Sequence, residues 1–61
     1  MDYQKILMAV INDRNKSGTS LMESLIEHLG TADMVEIDKF INWAMSKGYF
    51  ILVQELRNNE G

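Results

Sequence analysis

Ser20, Ser24 and His28 stand at four-residue intervals. On a helix that spacing stacks them along one side. A serine beside a histidine is the pairing of a nucleophile with its base. The rest of such machinery is absent from the sequence: no Gly-rich elbow, no oxyanion motif and no third orienting group accompanies the pair. The plainer reading is a solvated helix face with a capping serine. Glu23 and Glu27 are also four apart, with His28 adjoining. Two carboxylates and an imidazole can hold a cation or exchange protons. As plain surface charge they repel each other by a few tenths of a kcal/mol, and that reading is preferred. Gly18 in its polar surroundings invites comparison with a phosphate cradle, but no Gly-Lys-Ser/Thr follows it. The sequence therefore implies no catalytic residue, no metal site and no cofactor.

The elements that would carry these residues are helical. Tyr3, Ile6/Leu7 and Val10/Ile11 recur at three-to-four spacing, with Met8 and Ala9 on the other side. A helix apolar nearly all round is buried on several faces or sits in an interface. Asn12 to Gly18 reads as a loop from its turn-forming residues. Ser20-Leu21-Met22-Glu23 fits a capping box ahead of a face of Leu21, Leu25, Ile26 and Leu29, and Gly30 suits a left-handed helix end. Asp33-Met34-Val35-Glu36 opens a third helix in the same way. Met34, Ile37, Ile41, Ala44 and Met45 form its stripe, with Phe40 at the margin. Lys47 suits the end of that helix and Gly48 stops it. The boundaries are predicted near 3–13, 20–29 and 33–47. Only Gly30-Thr31-Ala32 separates the second and third helices, so they form a tight helix-turn-helix pair. The run Tyr49-Phe50-Ile51-Leu52-Val53 favours a strand by composition. A short fourth helix with Phe50, Val53 and Leu56 on one face is the alternative. The fold class is thus mainly α: one compact three-helix domain over 1–61 with a C-terminal strand or short fourth helix.

Length and charge bound the rest. The chain has 61 residues, no cysteine and no proline. A domain of this size buries only about 60% of its unfolded surface. It needs very good packing or a partner chain, since disulfides are excluded and His28 alone makes no structural zinc site. With 46% hydrophobic and 25% charged residues it has the apolar mass to fold. Six basic residues against nine acidic ones leave a formal charge of −3, the wrong sign for non-specific binding to phosphates. No apolar run is long enough to span a membrane. The N-terminus lacks the basic start and cleavage site of a secretory signal. The expectation is a cytoplasmic protein, and Asn15-Lys16-Ser17 is then a chance sequon.

Residues 4 to 53 resemble a winged helix-turn-helix domain. The matching text is Ile6-Leu7-Met8-Ala9-Val10-Ile11 for the first helix, Leu25-Ile26-Glu27-His28-Leu29-Gly30 for the end of the second, and Met34 to Lys47 for a recognition helix. Gly48-Tyr49-Phe50-Ile51 looks like the glycine and strand that open a wing. Two departures stand out. Thirteen residues follow Gly48 with no turn signal to split them, so a two-stranded wing does not fit. The first turns of the recognition helix carry Asp33, Glu36 and Asp38, which phosphates repel, leaving Lys39, Asn42, Ser46 and Lys47 as possible contacts. The resemblance implies a transcriptional regulator that binds DNA as a dimer, and the departures weigh against DNA reading.

Trp43 is the most informative single residue. At 100° per residue it lies roughly 120° from Ile37, beside Phe40, Glu36 and Lys47. It either lids the core edge or anchors a partner, as tryptophans at interfaces do. Lys39 and Lys47 flank it at four residues on each side and could cover its face. Tyr49 follows the helix stop and could lie over the same edge. Met1, Met8, Met22, Met34 and Met45 read chiefly as core filler. Met8 and Met22 are off or at the margin of their stripes, and an adaptable binding surface is the other reading. Taken together, the residues point to a non-enzymatic, acidic protein-binding module. It would be a regulator or inhibitor that occupies a larger protein, in the manner of phage-type proteins that antagonise host machinery, with DNA mimicry as one route. The expected contact site is Trp43, Lys39, Lys47 and Tyr49. A homodimer is expected through helix one or the 49–56 tail.

Overall fold

The computed structural model describes residues 2–17, the Ser17 side chain excepted, and 20–58; Met1, Gly18, Thr19 and the polar end Asn59-Glu60-Gly61 lie outside the described residues. The chain runs through four helices: α1 (Tyr3–Ser17), α2 (Leu21–Leu29), α3 (Met34–Ser46) and α4 (Phe50–Asn58). Each begins or ends where its local chemistry dictates. Asp2 caps α1, its carboxylate accepting from the backbone N–H of Gln4 at 3.1 Å and of Lys5 at 3.3 Å. The Ser20 hydroxyl caps α2 by accepting from the Glu23 N–H at 3.2 Å. Asp33 caps α3, but through the Val35 N–H at 2.9 Å. Glu36 turns to Lys39 instead, with Nζ to Oε1 at 3.4 Å.

Two glycines close helices in the left-handed region. Gly30 (φ 84°) donates its N–H to the Ile26 carbonyl at 2.9 Å. After α3, Gly48 (φ 91°) donates to Met45 at 3.0 Å and Tyr49 donates to Ala44 at 3.1 Å. This is the paired bond pattern of a Schellman stop. It turns the chain sharply and sets the start of α4 against the end of α3.

The segment favoured as a strand is therefore helix. Tyr49, Leu52, Val53 and Leu56 fall at the i, i+3, i+4, i+7 positions of one helical face, and Leu52, Val53 and Leu56 are buried. A lone strand would need an edge to pair with, and none of the described residues forms a strand. A helix satisfies its own backbone. The same helix stands where the winged-helix resemblance places the first wing strand.

Helix α1 also runs further than its sequence pattern, through the Asn12–Ser17 stretch read as loop. Asn, Asp and Ser are only modest helix breakers. Here Asp13 and Arg14 find partners on α2 and α4, and Arg14 and Lys16 suit the last turn.

One core joins all four helices. It contains Ile6, Leu7 and Val10 of α1; Leu21, Leu25 and Leu29 of α2; Ile37, Phe40, Ile41 and Ala44 of α3; and the three α4 residues named above. Burying each large member contributes about 1.5–3 kcal/mol. Phe40, placed at the margin by the pattern, is fully buried, with the Tyr3 ring from the first turn of α1 packed edge-on against it. No buried side-chain polar atom among the described residues lacks a hydrogen-bond partner. No helix among the described residues is long and apolar enough to cross a membrane.

Candidate functional site

Two clusters gather the residues with chemical potential. The first is aromatic. The Trp43 indole is half-buried and touches three rings: Tyr3 at a centroid distance of 5.6 Å, Phe40 at 5.7 Å and Tyr49 at 6.3 Å. Tyr3 also meets Phe40 edge-on at 5.5 Å and 83°. Separations and tilts of this kind favour ring pairs beyond their buried area, by about 0.5–1.5 kcal/mol each. The elements place these rings for definite reasons. The Asp2 cap fixes the first turn of α1 and hence Tyr3. Phe40 and Trp43 are three apart on α3. The Gly48 stop delivers Tyr49.

The four residues singled out from the sequence are thus partly assembled. Trp43 and Tyr49 are in ring contact. Lys47 closes α3, its backbone N–H donating to the carbonyls of Trp43 at 3.2 Å and Ala44 at 3.1 Å, with the side chain exposed. Lys39 is exposed with its ammonium directed at Glu36, one turn back. Sequence reasoning missed Tyr3 as a member of the cluster. Its position as the first apolar residue of α1 was visible, but its contact with Phe40 and Trp43 of α3 is tertiary and has no local signal.

The second cluster is polar. Asp13 of α1 accepts from the Ser24 hydroxyl at 2.8 Å and lies 2.7 Å from Nε2 of His28. All three types of a catalytic triad are present, but the wiring differs. The serine proton points at the carboxylate, and no ring nitrogen stands over it as base. Ser24 is also only 2% exposed, so no substrate can reach its oxygen. Ser24 is therefore not on the solvated face where helical spacing placed it; it is the hydrogen-bonded seam between α1 and α2. The His28 hydrogen bond, followed by the Ser24 bond, holds the Asp13 carboxyl below its ordinary value against desolvation, which raises it, with charge from His28 and Lys16 adding lesser lowering. Asp13 could not be paired with Ser24 and His28 from sequence, because it sat in the stretch read as loop.

Glu23 and Glu27 are exposed on the outer side of α2. Among the described residues no three His, Cys, Asp or Glu side chains converge in a way that could hold a metal ion. Six large apolar side chains remain open to solvent: Met8, Met34, Val35, Met45, Phe50 and Ile51. Met22, by contrast, packs against the core.

No protein-family model matches this sequence, and neither a curated protein nor a solved structure is similar to it.

Proposed function

We propose that this chain is a non-enzymatic protein-binding module, a small acidic regulator or inhibitor that works in the cytoplasm by occupying a larger protein. Trp43, Tyr49, Lys47 and Lys39 form the contact, and the working form is a homodimer. The observation that carries the reading is the half-buried indole held by three rings. An anchor fixed in this way loses little conformational freedom when it binds, and Trp and Tyr dominate interface energetics. Phe50, which follows Tyr49, is 59% exposed and extends the apolar surface of the α3–α4 corner. Lys47 and Lys39 supply charge at the rim, where it steers encounter more than it holds the complex.

The test uses affinity capture from the native host's lysate with three proteins: wild type, Tyr49→Ala and Lys47→Glu. The expected result is one protein retained by wild type, retained less by Lys47→Glu and lost from Tyr49→Ala, with circular dichroism showing both variants folded. No retained protein, or one held equally by all three, overturns the proposal.

A further inference from the structure

Two exposed stripes in this chain are built alike and oppositely charged. On the outer side of α1, Lys5, Met8 and Asn12 fall at i, i+3, i+7, and all three are exposed, Met8 by 58%. On the outer side of α3, Val35, Asp38 and Asn42 fall at the same spacing, and all three are exposed, Val35 by 61% with Met34, 53% exposed, beside it. That spacing keeps each trio on one helical face. Neither Lys5 nor Asp38 takes part in an ion pair among the described residues; the three such pairs are Arg14–Glu55, His28–Asp13 and Lys39–Glu36. The surroundings extend the contrast. From Tyr3 to Asn12 there is no acidic residue, and from Ser20 to Asp38 there are five acids with no Lys or Arg.

We infer that a second copy of this chain covers these faces, with α1 of one copy lying antiparallel across the first turns of α3 of the other. The register follows from the spacing. Met8 lies three residues after Lys5, and Val35 lies three residues before Asp38, so both steps cover about 4.5 Å along a helix. Run antiparallel, Lys5 meets Asp38 while Met8 meets Val35 and Met34. Charge complementarity selects the occupant, because the chain already carries both halves of the match. The contact is small beside the roughly 800 Å² per partner of a standard interface, so the complex is weak and salt-sensitive. On α3 this face lies to one side of the aromatic cluster: at 100° per residue Asp38 is about 140° and Val35 about 80° from Trp43. The inference rests on the homodimer part of the proposed function and specifies its faces. Binding of a larger protein through Trp43 can fail without touching it.

Sedimentation equilibrium tests it, on the whole chain from about 10 µM to about 1 mM, the range in which a small interface populates a complex. Wild type should exceed its 7.0 kDa monomer mass at low salt and return toward it at high salt. Lys5→Glu alone and Asp38→Lys alone should each weaken association at least about tenfold, because each sets like charges face to face. The double variant Lys5→Glu/Asp38→Lys should recover it. Circular dichroism confirms that all three variants are folded, as surface helix substitutions permit. A wild type that remains monomeric throughout overturns the inference. So does association that survives both single swaps, or a double variant that stays as weak as the singles.

Discussion

Ser24 of α2 gives its hydroxyl proton to Asp13 of α1 at 2.8 Å, and the serine side chain is almost wholly enclosed. A buried hydroxyl on an otherwise apolar helix face is tolerable only because that carboxylate receives it. The bond thus fixes how α1 sits on α2. Ser24→Ala, which removes only the hydroxyl, should lower the melting temperature by about 5 °C, since the carboxylate loses a donor and no new bond replaces it. Differential scanning calorimetry of the two proteins checks this; an unchanged or higher melting temperature would show that the seam is held by packing alone.

Acid should loosen the same seam. The Asp13 carboxyl is held below its ordinary value in the folded chain, first by His28 and then by Ser24. A carboxyl depressed in this way stabilises the fold at pH above the ordinary Asp range, and that contribution is lost as pH falls from about 4 through the lowered value. In urea titrations between neutral pH and about pH 2, wild type should lose more stability over that window than Asp13→Asn does. Parallel curves for the two proteins would remove Asp13 from the acid response.

The aromatic cluster should read out in two ways. Trp43→Ala removes a half-buried indole from three ring contacts and should cost about 3 kcal/mol of folding stability, at the lower end for a buried tryptophan. Trp43→Phe should recover more than half of that. Chemical denaturation followed by circular dichroism measures both. If Trp43→Ala costs less than about 1 kcal/mol, within the range of ordinary surface changes, the indole is a surface anchor and nothing more.

Gly48 offers a cleaner measurement because space is not at issue. A Cβ added there would meet nothing within 4 Å, and the same holds for Gly30. Any cost of Gly48→Ala is then the cost of a left-handed backbone, about 1 kcal/mol and up to about 2 kcal/mol. Gly30→Ala should cost the same within error, with Gly30→Asn milder. Urea midpoints of the three variants are enough, and a neutral Gly48→Ala would mean that the α3–α4 turn relaxes.

Duplex DNA should not bind. With a net charge of −3 and Asp38 central on the exposed face of α3, there is no basic stripe to displace counterions. Fluorescence anisotropy with a labelled random duplex at physiological salt should stay flat into the micromolar range. Micromolar binding that weakens steeply with salt would favour the dimeric transcriptional regulator that the winged-helix resemblance implies.

The caps of α2 and α3 were legible in the sequence because their information is local: Ser20, Asp33, Gly30 and Gly48 each act within four residues of themselves. The stripe of α3 was legible only at Ile37, Ile41 and Ala44: Met34 and Met45, read as part of it, are exposed, and Phe40, read at its margin, is fully buried. The helical state of residues 50–58 was not, because Tyr49 to Val53 has the composition of a strand and only the lack of a pairing edge decides against it. The length of α1 was hidden for a related reason. Asn12 to Ser17 is poor helix sequence, held by Asp13 and Arg14 reaching residues 11 to 41 positions away. Of the candidate site, the flank of α3 that holds Trp43 could be computed from angles, and Tyr49 was placed beside it only by following the Gly48 stop. Tyr3 and Asp13 could not, since both join their clusters from another helix.

Arg14 of α1 and Glu55 of α4 form an ion pair across 41 positions, and Tyr3 rests on Phe40 and Trp43. Helix α1 is thus completed by α4, made some forty residues after it. While the chain is still emerging, α1 and α2 can pair, but Leu52, Val53 and Leu56 are not yet there to finish the shared core. Helical hairpins of such local contacts form quickly, so completing this core waits on the nine-residue α4. A ribosome stalled before Phe50 should therefore carry a chain that is helical in part yet open to protease, and release of α4 should close it in one step.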